Sequence, residues 1–474
     1  MPFPAIHWLN DDILLGIFNC CRLDEKNDWN DRLGWRNLSQ VCQRWRHLIY
    51  ECSAHLGMHI KCTMGSRKLN TLDHLPLLPL FVHYNYYWRR SVSTILEQDE
   101  LGTWIYHTLR LHGRIGHIQL DLPSSVLHKA LALMNENFPI LEYLSLSGPF
   151  SPDSRHRLPL TLPKAFLAPN LRHLTLFGIG LPKRLRLLAS TVSLVTLKLS
   201  DIQTSSYFRP RLLVARLQSL PLLEELTIEF SLPIPRPSTE RELLGEKGAP
   251  VTLPRLKSLS FHGVGAYLDS FVAQIRVPLL ERLDITLFNQ IAFVLPHWSY
   301  LINNTKVLEL SSARVNFFHH QVSVSMNHDH GMQPFHLAVR CKPVDWQIDC
   351  AAQICHALIP TLSIVEELSL HLVAYQEIPT EMRNGVIDSA TWHHLLRSFI
   401  GVKKLYIYNF LLEELSRALQ VDEVGSDPSF LPDLQSIHAS HNLFTSFIDT
   451  RQVVGRPVQF ERYHWSLQSR RHGL

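Results

Sequence analysis

The apolar positions of the chain follow two different periods. Over residues 7–18, in HWLNDDILLGIF, Leu9, Ile13, Leu14, Ile17 and Phe18 recur at helical spacing. Asn10 can cap that helix, and the carboxylates of Asp11 and Asp12 suit the positive end of its dipole. The polar stretch RLDEKNDWNDRLG (22–34) predicts a loop. Trp35, Leu38, Val41, Cys42, Trp45, Leu48 and Ile49 then return every three or four residues and predict a second amphipathic helix. The first 51 residues therefore predict a small helical module with little core of its own.

Beyond residue 110 one phrase recurs: an apolar residue, two variable ones, an apolar, one variable, an apolar. It reads clearly in LEYLSL (141–146), LRHLTL (171–176), LVTLKL (194–199), LEELTI (223–228), LKSLSF (256–261) and LERLDI (280–285). Less clean copies are TKVLEL (305–310), VEELSL (365–370), VKKLYI (402–407) and LQSIHA (434–439), with weaker ones at IGHIQL (115–120) and MQPFHL (332–337). The mean period is about 29 residues, long for a leucine-rich repeat. Between phrases lie helix-like stretches at 124–138, 266–276 and 345–359. A strand and a returning helix cannot each bury a face alone, and stacking the units makes one core. The expected fold is α/β: a small helical module followed by an irregular leucine-rich-repeat solenoid, with parallel strands on the concave side and helices on the convex side. A non-solenoid α/β domain is the competing expectation. The asparagine that usually closes the phrase is missing, its places held by residues such as Pro149, Ile179 and Ile202.

These patterns divide the chain into a helical module (1–51), a proline- and aromatic-rich connector and first cap (52–110), the solenoid (111–450) and a basic, mobile tail (451–474). Residues 231–250 read as a projecting loop. The tail interleaves Arg451, Arg456, Arg462, Arg470 and Arg471 with Phe460, Tyr463 and Trp465. A solvated terminus is the plainer reading of such a segment than a nucleic-acid or lipid contact.

A net charge of +4 over 474 residues does not point to a nucleic-acid binder. Asp11 and Asp12 interrupt the first apolar run, so it does not read as a signal peptide, and no run is long enough to cross a membrane. The eight cysteines lack a disulfide-framework spacing, which suggests reduced thiols in the cytoplasm or nucleus. Two clusters could hold a metal: His319, His320, His328, His330 and His336, or Cys341, Cys350, Cys355 and His356. The first reads more simply as a polar insertion. In the second, Cys355 follows Ile348 and Ala352 on an apolar helix stripe, where a thiol fills core. The pairs Glu224–Glu225 and Glu366–Glu367 occupy the same place in the phrase as Lys403–Lys404, so they read as a solvated sheet face rather than a catalytic dyad. Neither a cofactor nor catalysis is expected.

LNDDILLGIF followed by LSQVCQRWRHLI resembles the F-box, with Leu9, Ile13, Leu14, Ile17, Phe18, Val41, Cys42 and Trp45 at the family's positions. Asn10 stands where proline is usual, and the loop at 22–34 is longer than usual. With the repeats, the whole resembles fungal F-box proteins with leucine-rich repeats. That resemblance implies a non-catalytic substrate receptor of a ubiquitin ligase. The eight residues would meet a Skp-type adaptor, and through it a cullin, while the array holds a target protein. By geometry, the third and fifth positions of each phrase leave the core and would face a target: Tyr143, His173, Lys198, Glu225, Arg282, Asp284, Glu367, Lys404 and Tyr406. A leucine-rich scaffold outside any ligase is the alternative function.

Overall fold

A computed structural model of the chain describes residues 8–23, 34–52, 59–62, 78–85, 95–148, 160–182, 186–203, 206–231, 250–288, 296–303, 311–318, 320–327, 334–341, 344–373, 389–408, 411–420 and 430–463. The chain forms two compact units, Met1–Tyr207 and Phe208–Leu474.

The first unit opens with three helices, α1 (Asp11–Leu23), α2 (Gly34–Val41) and α3 (Gln43–Glu51). The second expected helix is thus two. Cys42 is extended, at φ −157° and ψ 170°, and its Sγ accepts the Trp45 N–H at 3.4 Å, so the chain re-caps and starts again. Cys42 is therefore a cap and not part of a continuous helical stripe. Asn10 does cap α1, its Oδ1 accepting the Ile13 N–H at 2.9 Å.

Six parallel strands follow: β1 (Ile60–Cys62), β2 (Leu80–Asn85), β3 (Ile115–Asp121), β4 (Tyr143–Ser147), β6 (His173–Phe177) and β8 (Thr196–Ile202), each paired with the next. The short β5 (Leu160–Thr161) and β7 (Ile179–Gly180) make a separate pair. The intervening helices are α4 (Ile95–Leu109), α5 (Ser124–Leu133) and α6 (Arg186–Ser190). Parallel pairing therefore starts at Ile60, inside the stretch read as a connector.

In the second unit β9 (Glu225–Phe230), β11 (Ser258–Gly263) and β13 (Arg282–Leu287) continue the pattern. A short pair, β10 (Val251–Thr252) with β12 (Ile275–Arg276), lies apart from them. The helices there are α7 (Pro210–Leu217), α8 (Gly265–Val272) and α9 (Pro296–Asn303). The expected all-parallel order then fails. β14 (Ser312–Phe318) and β16 (Phe335–Arg340) both pair antiparallel with β15 (Gln321–Asn327), which lies between them. β15 occupies part of the stretch read as a polar insertion. Its alternating Val322, Val324 and Met326 are fully buried, the period of a strand, and its short connection to β14 permits reversal. TKVLEL (305–310) lies outside the described residues. Parallel order resumes with β17 (Glu367–Val373), β18 (Lys404–Ile407), β19 (Ser436–Ala439) and β20 (Gln459–Arg462). They alternate with α10 (Val344–Ala357), α11 (Ile359–Leu362), α12 (Ser389–Leu396), α13 (Leu412–Leu419) and α14 (Thr445–Val453). Each unit is thus a mixed α/β stack of leucine-rich-repeat character. Among the described residues no helix is long and apolar enough to cross a membrane.

The phrase explains the stack. Its three apolar residues are buried wherever all of it is described, as at Leu171, Leu174 and Leu176 or Val402, Leu405 and Ile407. Each such side chain contributes about 1.5–3 kcal/mol relative to exposure. Ahead of most phrases the chain turns on a proline, with Leu141, Leu171, Leu223, Leu256, Leu280 and Leu434 donating their N–H three residues back. The second residue of a phrase then offers one carbonyl to two N–H groups of the next: Glu142 O accepts from Arg172 and His173, and Arg172 O from Val195 and Thr196. At the strand exits, where an asparagine ladder would stand, Ile179 and Ile202 are buried instead, and Gly178 turns at φ +68° while its N–H reaches Ser200 O at 2.9 Å. Apolar packing and main-chain bonds take the place of the amides.

The basic tail is also corrected for its described part. Arg451 lies on α14, fully buried, donating to Phe430 O (3.1 Å) and Leu431 O (2.7 Å), and Arg462 ends β20, which pairs with β19. The array therefore runs to residue 462, and Arg470, Arg471 and Trp465 lie outside the described residues. Arg451→Ala strips two buried carbonyls of their donors. Urea unfolding should show a loss of about 2–4 kcal/mol, and a loss under about 1 kcal/mol would mean the guanidinium is not what satisfies them.

Candidate interaction surfaces

The helical module separates its apolar residues into an inside and an outside. Leu14, Phe18, Leu48 and Ile49 are buried between the helices, and Phe18 meets Trp45 edge-on with ring centroids 4.9 Å apart. Arg44 fixes the start of α1: its guanidinium grips Asp11 Oδ1 through Nε and Nη2 (2.9 and 2.6 Å) and also donates to Leu9 O (2.6 Å). What remains outside is Ile13 (49% exposed), Ile17 (37%) and Val41 (59%), with Trp8 also exposed. Gly16 lies on the Ile13–Ile17 face of α1, and a Cβ there would meet nothing within 4 Å. The eight residues expected at an adaptor therefore divide. Ile13, Ile17 and Val41 present apolar surface, Leu9, Cys42 and Trp45 are half-buried, and Leu14 and Phe18 belong to the module's own core.

On the first unit, register brings Phe81, His117, Tyr143, His173 and Thr196 into one row across neighbouring strands. Their rings stack as a ladder. His59 lies 3.3 Å from Phe81, Phe81 4.7 Å from His117, and His117 4.1 Å from Tyr143, while Tyr143 tilts toward His173 at 5.9 Å. His173 Nδ1 sits 3.2 Å from Thr196 Oγ1. Lys198 lies two residues further along the same strand, in register with Thr175. Burial pushes the His117 imidazole down to about 4, and His59 and His83 would add repulsion to a charged ring. The third-position rule reached Tyr143 and His173. It passes equally through His117 in IGHIQL, which was not singled out, while Phe81 and His59 lay in the supposed connector.

On the second unit three of the six expected residues, Asp284, Glu367 and Lys404, bond across neighbouring strands. Asp284 meets His336 at 2.9 Å, Glu367 meets Lys404 at 2.9 Å, and Lys403 meets Glu366 at 2.6 Å. Lys257 bonds Glu224 at 2.9 Å in the same manner. These pairs lie at the surface, where solvent screening leaves them little weight in stability. Glu225 and Arg282 flank Ser258 in one row. Tyr406 stacks on His438 at 4.4 Å and meets the edge of Tyr463 at 6.0 Å, and its phenol is raised by burial. The sheet face is thus neither acidic nor basic, and His438 and Tyr463 are additions to the expected set.

The histidine and cysteine clusters are described only in part. His336 is bound to Asp284, while His319, His328 and His330 lie outside the described residues. Burial raises the Cys355 thiol inside α10, Cys341 and Cys350 are buried beside one another, and His356 faces the His394 ring at 5.8 Å. Among the described residues no three histidine, cysteine or acidic side chains come together as a metal site.

The buried histidines of the two units make a pH prediction. His117, His262 and His371 are lowered to about 4, 4 and 3, chiefly by burial. The unfolded chain takes up these protons near pH 6.5 while the folded chain does not. Stability should therefore be full above that pH and fall as the pH drops from about 6.5 toward 4. The unfolding midpoint in urea, followed between pH 7.5 and 4.5, checks the sign. The His117→Gln variant should show a shallower fall, and an unchanged slope would place the effect elsewhere.

No family model matches the chain, and no curated protein does. Among solved structures, the leucine-rich repeat-containing protein LegL7 from Legionella pneumophila is similar at 14% identity and a TM-score of 0.26, over 84% of this chain and 98% of that one.

Proposed function

We propose that this chain is the substrate-recognition subunit of an SCF-type (Skp/cullin/F-box) ubiquitin ligase. The helical module docks a Skp-type adaptor, which brings the cullin, and the strand faces hold a target protein. The observation that carries the reading is the exposed apolar set Ile13, Ile17 and Val41 on a module whose inside is already filled by Leu14, Phe18, Leu48 and Ile49. Exposed apolar side chains presented at the spacing of successive helical turns are what a helical partner surface buries. The motif order quoted above supplies the identity of the partner. In this reading the chain breaks no bond; its contribution is to hold a target's lysines near a charged carrier, converting an encounter into an intramolecular step. The target-facing residues are the ring ladder around Tyr143 and His173, together with Lys198, Glu225, Arg282, Asp284, Glu367, Lys404 and Tyr406. Their mixed charge suits a target of neither extreme charge.

Purified adaptor should bind the intact protein. Ile13→Asp combined with Ile17→Asp should weaken binding by about a hundredfold, since buried interface anchors each cost about 1–2 kcal/mol or more. Gly16→Arg should do the same while leaving the helix at least as stable, because its side chain enters open space. Phe18→Ala should instead melt the module, seen by circular dichroism. A folded intact protein that does not bind the adaptor would leave the leucine-rich scaffold, uncoupled from ubiquitination, as the function.

A further inference from the structure

The second unit holds a cavity of about 560 Å³ away from the strand faces discussed above, at the end of α8 and beside the β10–β12 pair. Its volume lies within the range of small-molecule sites. The body of the cavity is apolar, lined by Val272, Ile275, Val277 and Leu301. Three polar side chains join them: Thr252, Arg276 and His297. Thr252 and Arg276 are register partners across β10 and β12.

The histidine is held in a fixed pose. Its Nδ1 lies 2.9 Å from Oδ2 of Asp269, a carboxylate buried on α8. The other oxygen, Oδ1, accepts the backbone N–H groups of His297 (3.0 Å) and Trp298 (3.3 Å) in the first turn of α9. Asp269 thus ties α8 to α9 and holds the His297 ring on Nδ1, leaving Nε2 for something else. Arg276 has no carboxylate within ion-pair distance among the described residues, and no acidic side chain lines the cavity among them. The Asp269 carboxylate is engaged by the histidine and two main-chain donors. A half-open pocket with an apolar floor, edged by a guanidinium and a hydroxyl and with no carboxylate among its described lining residues, is complementary to an amphipathic anion.

We propose that this cavity is a binding site for a small carboxylate with a hydrocarbon body, the chain lying among Val272, Ile275, Val277 and Leu301 and the head accepting from the Arg276 guanidinium and the Thr252 hydroxyl. The inference stands apart from the ligase reading, since it concerns other elements and another class of ligand.

Isothermal titration of the full chain with octanoate tests it, with octanol and octylamine as head-group controls. Octanoate should bind saturably at one site with a dissociation constant below about 1 mM. Octanol should bind more weakly and octylamine not measurably. Arg276→Gln, at an exposed position, should weaken octanoate about tenfold and leave octanol unchanged. Ala273→Phe, which adds a ring from the cavity rim, should abolish both. Circular dichroism of each variant guards against misfolding. No saturable octanoate binding, equal binding of octylamine, or octanoate binding indifferent to both variants would each overturn the proposal.

Discussion

Everything in the two stacks depends on each phrase lending its neighbour a buried surface. A strand of four to seven residues is too short to be stable by its own main-chain bonds, and its three leucine-like side chains have nothing to pack on within the same repeat. Leu174 and Leu405 are fully buried, each on a strand with a parallel neighbour on both sides. The carbonyl shared by two N–H groups of the next phrase adds a main-chain register to that packing. The alternation then frees the intervening positions, and the outward rows are available for recognition.

The same logic separates structure from recognition in the helical module. α1 carries one apolar stripe in sequence, yet packing against α3 divides it. Leu14 and Phe18 turn inward while Ile13 and Ile17 stay out. Helical spacing gives the stripe's existence but not its centre, because the angle at which α3 crosses depends on the break at Cys42 and on the Arg44 grip on Asp11. Neither can be read from periodicity. The break needed the extended backbone of one residue, and the grip joins positions 33 apart.

In the arrays, legibility followed the strength of the local pattern. Clean phrases such as LRHLTL and LERLDI became strands with the expected faces, and Tyr143, His173, Asp284 and Glu367 emerged where alternation put them. The misses have physical causes. β2 lies in a segment whose prolines and aromatics resemble a connector, although Leu80, Val82 and Tyr84 alternate as a strand should. β15 was masked by flanking histidines, although its own Val-x-Val-x-Met alternation is regular. Arg451 read as tail because charge suggested solvent, whereas two carbonyls held it inside. A signal lay unused in plain view: the proline turns at 139, 169, 221, 254, 278 and 432, each two residues before a phrase.

The reversed strand bears on how the second unit acquires its order. Parallel neighbours are joined by long segments of chain, so each pairing closes a wide loop before any contact rewards it. β14 and β15 are separated by two residues along the chain, and their six pairs, from Phe317–Val322 outward, can zip from that end. The hairpin is the lowest-entropy pairing in its unit and offers an edge on each side: β16 adds to β15 and β17 to β14. An interruption of the repeat is thereby the natural starting point for the growth of the repeats around it.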